Sequence, residues 1–161
     1  MLVTADQLLA HAIGDYILQS DWMALEKTKK SVACLLHVLT YSIPFTFLTD
    51  SWPAILFIAG THFVIDRWRL ARYVVWAKNF IAPKWIYPPI IVSGNSNPSV
   101  ENESTAMHRV LDEPIRNYPW SECSGTGYHK ERPAFLAVWL LIAADNIMHI
   151  ILNAVALKYL G

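Results

Sequence analysis

The stretch Pro133-Ala-Phe-Leu-Ala-Val-Trp-Leu-Leu-Ile-Ala-Ala-Asp145-Asn-Ile-Met-His149-Ile-Ile-Leu-Asn153-Ala-Val-Ala-Leu157 decides the fold class. It exceeds the ~20 mostly apolar residues that cross ~30 Å of hydrocarbon at 1.5 Å per residue. It therefore predicts a membrane-spanning helix over 133–160. It also holds Asp145, Asn146, His149 and Asn153, polar groups that a lipid-facing surface would not carry. They belong on a face turned towards other helices.

Three further apolar segments precede it, about 2–25, 31–48 and 52–76. The first is interrupted by Asp6, Gln7, His11 and Asp15, which a bundle interior tolerates and a lipid-facing helix does not. The breaks between segments follow turn chemistry. Glu26-Lys-Thr-Lys-Lys30 is a charged turn, and Thr49-Asp-Ser-Trp-Pro53 offers Ser51 as an N-cap with Pro53 in the first turn. Pro44 is placed to kink segment two. The expected architecture is all-α, a single membrane domain over 1–161. It is an integral four-helix bundle with a long cytoplasmic loop, about 77–132, between helices three and four. Within that loop, Trp85–Val92 reads as an interfacial stretch, Ser93–Glu103 as a flexible loop and Thr105–Ile115 as a short helix.

Composition agrees. Of 161 residues, 54% are hydrophobic and 16% charged, against about a quarter charged in soluble domains. The formal net charge is zero, so nucleic-acid binding is not expected. The N-terminal segment lacks the basic start and clean apolar run of a signal peptide. Cys34 and Cys123 form no Cys-x-x-Cys pair, which argues against a disulfide framework or zinc knuckle. Twelve of the 13 Lys and Arg residues fall in the 1–2 connection or from the end of segment three to Arg132; only Lys158 does not. The positive-inside rule then places both termini in the periplasm and the long loop in the cytoplasm, in a bacterial inner membrane. Trp52, Trp76 and Trp85 read as interface anchors, and the Arg67/Arg69/Arg72 stripe as part of the basic rim.

Three pairs share one spacing: His11/Asp15, His62/Asp66 and Asp145/His149. An i,i+4 spacing puts both side chains on one helix face. Segments one and three run inward and read His then Asp; segment four runs outward and reads Asp then His. In the membrane frame every pair sets His outward and Asp inward, giving two layers about 6 Å apart. His37, early in segment two, falls nearer the carboxylates. A single such pair is commonly a structural hydrogen bond. Three pairs aligned across three helices point to one site, and a divalent ion is an economical way to neutralise carboxylates with neutral imidazoles as co-ligands. The expected ligands are His11, Asp15, His37, His62, Asp66, Asp145 and His149, holding zinc, manganese or iron, as one ion or two. Gln7, Gln19, Asn146 and Asn153 are expected to support them. Cys34 reads as core, and His108 and His129 as solvated loop residues.

The order His11-Ala-Ile-Gly-Asp15-Tyr-Ile-Leu-Gln19-Ser-Asp-Trp-Met23, His37, Thr61-His-Phe-Val-Ile-Asp66-Arg-Trp-Arg-Leu70 and Asp145-Asn-Ile-Met-His149 resembles a family of small bacterial and bacteriophage polytopic membrane proteins, described as a domain of unknown function. The stretch Trp120-Ser-Glu-Cys-Ser-Gly-Thr-Gly-Tyr128 resembles its phage-borne members, for which the membrane would be the host's. The resemblance implies no activity; it implies that these His and Asp positions form a signature. A looser similarity, at fold level only, is to bacterial inner-membrane proteins described as metal-dependent hydrolases.

The leading functional expectation is a membrane-embedded metal-dependent hydrolase acting on a membrane-proximal phosphoester. Its substrate would be a phosphorylated lipid or a nucleotide, with His37 and Asp145 as catalytic residues. The alternatives are an ion or proton transporter using the same site, which would need a homo-oligomer, and a non-enzymatic phage effector binding a host protein through the cytoplasmic loop.

Overall fold

A computed structural model describes residues 2–81, 91–92, 109–110 and 118–161. The fold is helical. In chain order come α1 (Ala5–Ala12), α2 (Asp21–Glu26), α3 (Ser31–Ser42), α4 (Trp52–Trp68), α5 (Ala71–Ile81) and α6 (Ala134–Tyr159). The strands among the described residues are the two-residue β1 (Ile91–Val92) and β2 (Arg109–Val110), paired antiparallel.

Only the last expected span, α6, is a described helix long and apolar enough to cross a membrane. At 26 residues it is about 39 Å long. The other three segments are helical but broken or shorter. In the first, Thr4 caps α1 through its side chain, and the helix continues as a π-turn over Ile13–Ile17, where Leu18 N–H reaches back five residues to the Ile13 carbonyl. Ser20 then caps a separate short helix, α2, whose Met23 N–H it accepts. The expected 2–25 helix is therefore two pieces, because a cap-forming Ser outcompetes continuation. Segment two ends as a 3-10 turn, Ile43–Phe47, at Pro44, as a proline that cannot donate to the helix ladder requires.

Segment three is also divided. Arg69 adopts a left-handed conformation (φ 54°) and terminates α4, its N–H returning to Asp66 and that of Leu70 to Ile65. The helical reading over 52–76 thus becomes α4 and α5, with α5 running on to Ile81 into the expected loop. Pro53 opens α4 as expected, but the Ser51 hydroxyl does not cap it and donates instead to the Leu160 carbonyl. This contact joins the start of α4 to the end of α6.

Residues 118–132, expected as loop, pack on α5. Trp76 Nε1 donates to the Tyr118 carbonyl at 3.1 Å, and Asn79 Nδ2 to the Tyr118 hydroxyl, also 3.1 Å. Trp76 is therefore tied to this segment as well as half exposed. Gly127 has φ 80°, and a Cβ there would run into the Arg72 carbonyl. His129, expected in solvent, is buried beside Glu122, with Nε2 3.3 Å from Oε2. The short 123/129 bridge folds it under the turn. Arg109 and Val110 were expected in a helix over Thr105–Ile115; they are extended, as β-branched partners Ile91, Val92 and Val110 favour. The remainder of that stretch, residues 82–90, Ser93–Glu103 and His108 lie outside the described residues.

The distribution of polarity is inverted relative to a soluble domain. Gln7, His11, Asp15, His37, His62, Asp66, His149 and Asn153 are buried, while Ile17, Phe47, Trp52, Leu56, Phe135 and Trp139 are each at least 67% exposed. Small residues let the helices approach: Ala33, Ala54, Ala154 and Ala156 are fully buried, the pattern of helix packing in lipid. Gly14, within the π-turn, is the tightest of these. A Cβ there would lie 2.6 Å from Tyr41 Cδ2 and 3.0 Å from the Tyr41 carbonyl. Gly14→Ala should therefore cost about 1–3 kcal/mol, read as a lowered unfolding midpoint in detergent, whereas Gly60→Ala, whose Cβ meets nothing within 4 Å, should not.

Candidate metal centre

The three i,i+4 pairs meet in the interior. From the start of α4 to Asp66 is fourteen residues, and from Asp145 to the end of α6 is again fourteen. Each corresponds to about 21 Å, so the two carboxylates reach the same level from opposite chain directions. The π-turn brings Asp15 to that level, and α3 supplies His37.

Four donor atoms crowd together: His37 Nε2, His62 Nε2, Asp15 Oδ1 and Asp66 Oδ2. His37 Nε2 lies 2.9 Å from His62 Nε2 and 3.2 Å from each carboxylate oxygen; His62 Nε2 lies 3.4 Å from Asp15 Oδ1 and 3.1 Å from Asp66 Oδ2. His149 Nε2 adjoins this set, 3.4 Å from Asp66 Oδ1 and 3.5 Å from Asp145 Oδ2. The two expected layers have merged. Side chains lean towards the N-terminus of their helix, which brings Asp66 back onto His62 and His149 back onto Asp145.

These separations fit ligands around one ion. Bonds of ~2.1 Å place neighbouring ligand atoms about 3.0 Å apart in an octahedron and about 3.4 Å apart in a tetrahedron. Hydrogen bonding accounts for only part of them: His37 Nε2 and His62 Nε2 are hydrogen-bonded to each other, whereas Asp15 Oδ1, Asp66 Oδ2 and His149 Nε2 are buried without a hydrogen-bond partner. Three overlapping groups, Asp15/His62/His149, His37/His62/Asp66 and Asp66/Asp145/His149, have donor atoms within 4.8 Å of one another and could hold a metal ion.

His11 stands behind the ligands. Asn146 Nδ2 donates to the Ile142 carbonyl, which fixes Oδ1 as the acceptor facing His11 Nε2 at 2.8 Å. That nitrogen therefore carries the proton, and Nδ1 accepts from the Tyr41 hydroxyl at 2.9 Å. Asn153 in turn donates to Tyr41 at 2.6 Å. Both ring nitrogens of His11 are engaged, and its contact with Asp15 is a longer 3.5 Å. Asn146 and Asn153 thus have the supporting places expected of them, acting through His11 and Tyr41. Gln7 donates to the Ile150 carbonyl at 2.7 Å and pins α1 to α6. Cys34 is buried with its thiol facing the Phe63 carbonyl, away from the donor set. Cys34 and Cys123 are both free thiols.

Two residues were not singled out by sequence. Tyr41 is fully buried and stacks on His62 with ring centroids 3.6 Å apart. Lys27, read as part of the basic rim, turns inward: its Nζ lies 2.8 Å from Asp66 Oδ2 and 3.4 Å from His37 Nε2. Burial pulls the Lys27 ammonium towards neutrality, but the Asp66 and Asp15 carboxylates outweigh it and hold its pKa above the usual lysine value. Arg69, a candidate partner for Asp66, is exposed. Arg67 is spent on the Thr28 carbonyl and Ser31 hydroxyl.

The donor set is sealed on one side and open on the other. Towards the Ser51/Leu160 end, Ala10, Tyr41, Phe45, Ile58 and Ala156 pack into a closed apolar cluster. On the opposite side a cleft of about 480 Å³ opens onto Asp15, Asp66 and Asp145, with Lys27, Lys29 and Arg69 among its polar lining and Ala24, Leu25, Leu141 and Ile142 among its apolar wall.

No curated protein matches the chain, and no solved structure does. Residues 3–87, which include His11, Asp15, His37, His62 and Asp66, match the family described as "Protein of unknown function (DUF3307)". That match covers more than half of the sequence, and the chain belongs to the DUF3307 family.

Proposed function

We propose that this protein is a membrane-embedded, metal-dependent hydrolase that cleaves a phosphoester carried by a lipid. The observation that carries the reading is the pair of imidazole nitrogens, His37 Nε2 and His62 Nε2, each within 3.4 Å of Asp15 Oδ1 and Asp66 Oδ2, two carboxylates that line a cleft. The membrane setting is supported by the inverted polarity, with large apolar side chains outside and His and Asp inside. It is supported too by α6 and by the segregation of Lys and Arg. In this setting the chain is a multi-pass bundle of one domain with shortened first and third spans. The basic cleft mouth faces the cytoplasm and both termini face the periplasm.

His37, His62, Asp15 and Asp66 would hold a divalent ion, with His149 and Asp145 beside it. Such an ion supplies positive charge to a phosphoryl oxygen and a water acidified towards neutral pH. Asp145, the least buried of the three carboxylates (side chain 27% exposed), faces the cleft and serves as general base. Water oxygen adds to phosphorus, the ester P–O bond breaks, and the proton taken by Asp145 passes to the leaving oxygen. Lys29 and Arg69 at the mouth suit a phosphate. The apolar wall favours a lipid over a nucleotide, because Leu25 and Ile142 are also exposed on the outer surface and would let an acyl chain enter sideways. The apolar seal on the far side counts against transport. The effector reading rests on the loop over 93–132, of which residues 93–108 and 111–117 lie outside the described residues.

Protein purified without chelator should carry stoichiometric zinc, manganese or iron by elemental analysis, and His62→Ala or Asp66→Ala should lose it. A folded, metal-free wild type would remove the reading. Asp145→Asn should retain metal and lower turnover of phospholipid and lysophospholipid phosphoesters by about 10²-fold or more. Ion flux in liposomes dependent on Asp66, with no turnover, would assign transport instead.

A further inference from the structure

Three carboxylates, Asp15, Asp66 and Asp145, are gathered here with one ammonium, Lys27. Imidazoles bind metals in the neutral form, so His37, His62 and His149 add no charge as ligands. Two negative charges are then uncompensated within the cluster, since Lys29 and Arg69 at the cleft mouth are exposed. A buried site in an apolar surround tolerates little net charge, since desolvation of an unpaired ion costs several kcal/mol. One divalent cation brings the sum to zero. Two would leave an excess of two positive charges beside the lysine.

We infer that the centre is mononuclear, and that Lys27 is a built-in second cation filling the position a second metal ion would take. The inference rests on the metal reading above and adds the stoichiometry and the residue that sets it. The geometry of Lys27 is that of a substitute ion. Its Nζ reaches Asp66 Oδ2 at 2.8 Å, the same oxygen that faces His37 and His62, and comes within 3.4 Å of His37 Nε2. Its side chain is only 17% exposed, against 68% and 62% for Lys29 and Lys30, which pair with Glu26 outside. Asp66 would therefore face both the ion held by His37 and His62 and the covalently attached ammonium. From the same place the ammonium lines the cleft, where a phosphoryl oxygen would find the positive charge that a second metal supplies in binuclear centres.

The test is metal stoichiometry on the full chain in detergent, saturated with Zn²⁺ or Mn²⁺ and desalted. Wild type should hold about one equivalent, as should Lys27→Arg. Lys27→Gln vacates the position and should raise the content towards two equivalents. Two equivalents in wild type would overturn the assignment with no variant needed. So would a Lys27→Gln protein that binds one ion with unchanged affinity. No metal in any form overturns the metal reading itself, a result distinct from either.

Discussion

Three carboxylates placed inside an apolar bundle set the terms for the rest of the molecule. An unpaired ion in an apolar interior costs several kcal/mol, and pairing is the available remedy. Asp66 meets that demand most fully: His37, His62, His149 and Lys27 all approach its two oxygens within 3.4 Å. The four groups come from α3, α4, α6 and the turn before α3, so satisfying one carboxylate docks most of the chain. The fully buried alanines on α3, α4 and α6 follow from the same demand, since imidazole and carboxylate meet at about 3 Å only where backbones approach closely.

The irregular backbone lies where the site needs it. Asp15 lies within the π-turn over Ile13–Ile17, and such turns are frequent at functional sites. The left-handed Arg69 ends α4 three residues after Asp66 and sends α5 off beside α6. Arg69, Gln19 and Lys27, at or beside these breaks, all line the cleft. The breaks that shorten the first and third segments therefore also open the way to the His and Asp cluster.

The sequence carried the His and Asp pairs, their shared direction and the convergence that these imply, because i,i+4 spacing and charge bias are local signals. It carried helix content for the same reason. It did not carry the breaks at Ser20 and Arg69, since apolar residues resume beyond both and cap geometry decides. Lys27 was hidden by its company: in a run of three lysines nothing marks the one that turns inward, and only the Asp66 contact distinguishes it. Tyr41 was hidden because a tyrosine in an apolar helix reads as packing until its hydroxyl partners are known. His11 shares the spacing of His62 and His149 while its ring nitrogens face Asn146 and Tyr41, so the spacing defines a face but not which of two neighbours a ring addresses. His129 read as solvated because its burial depends on a bridge within 118–132 that no periodicity announces.

Tyr41 links the seal to the site. Its ring stacks on His62 at 3.6 Å and belongs to the apolar cluster with Phe45 and Ile58, while its hydroxyl holds His11 and Asn153. Opening the side closed by the apolar cluster would have to displace this side chain, which would unstack the His62 imidazole and leave buried polar groups without partners, at about 1–3 kcal/mol for each. An ion pathway needs an exit that can open while the site stays intact. Here the element closing the exit and the element orienting the imidazoles are one residue. That coupling, more than the number of helices, is the physical reason to read the centre as a place where a substrate is met from the cleft side rather than one through which an ion passes.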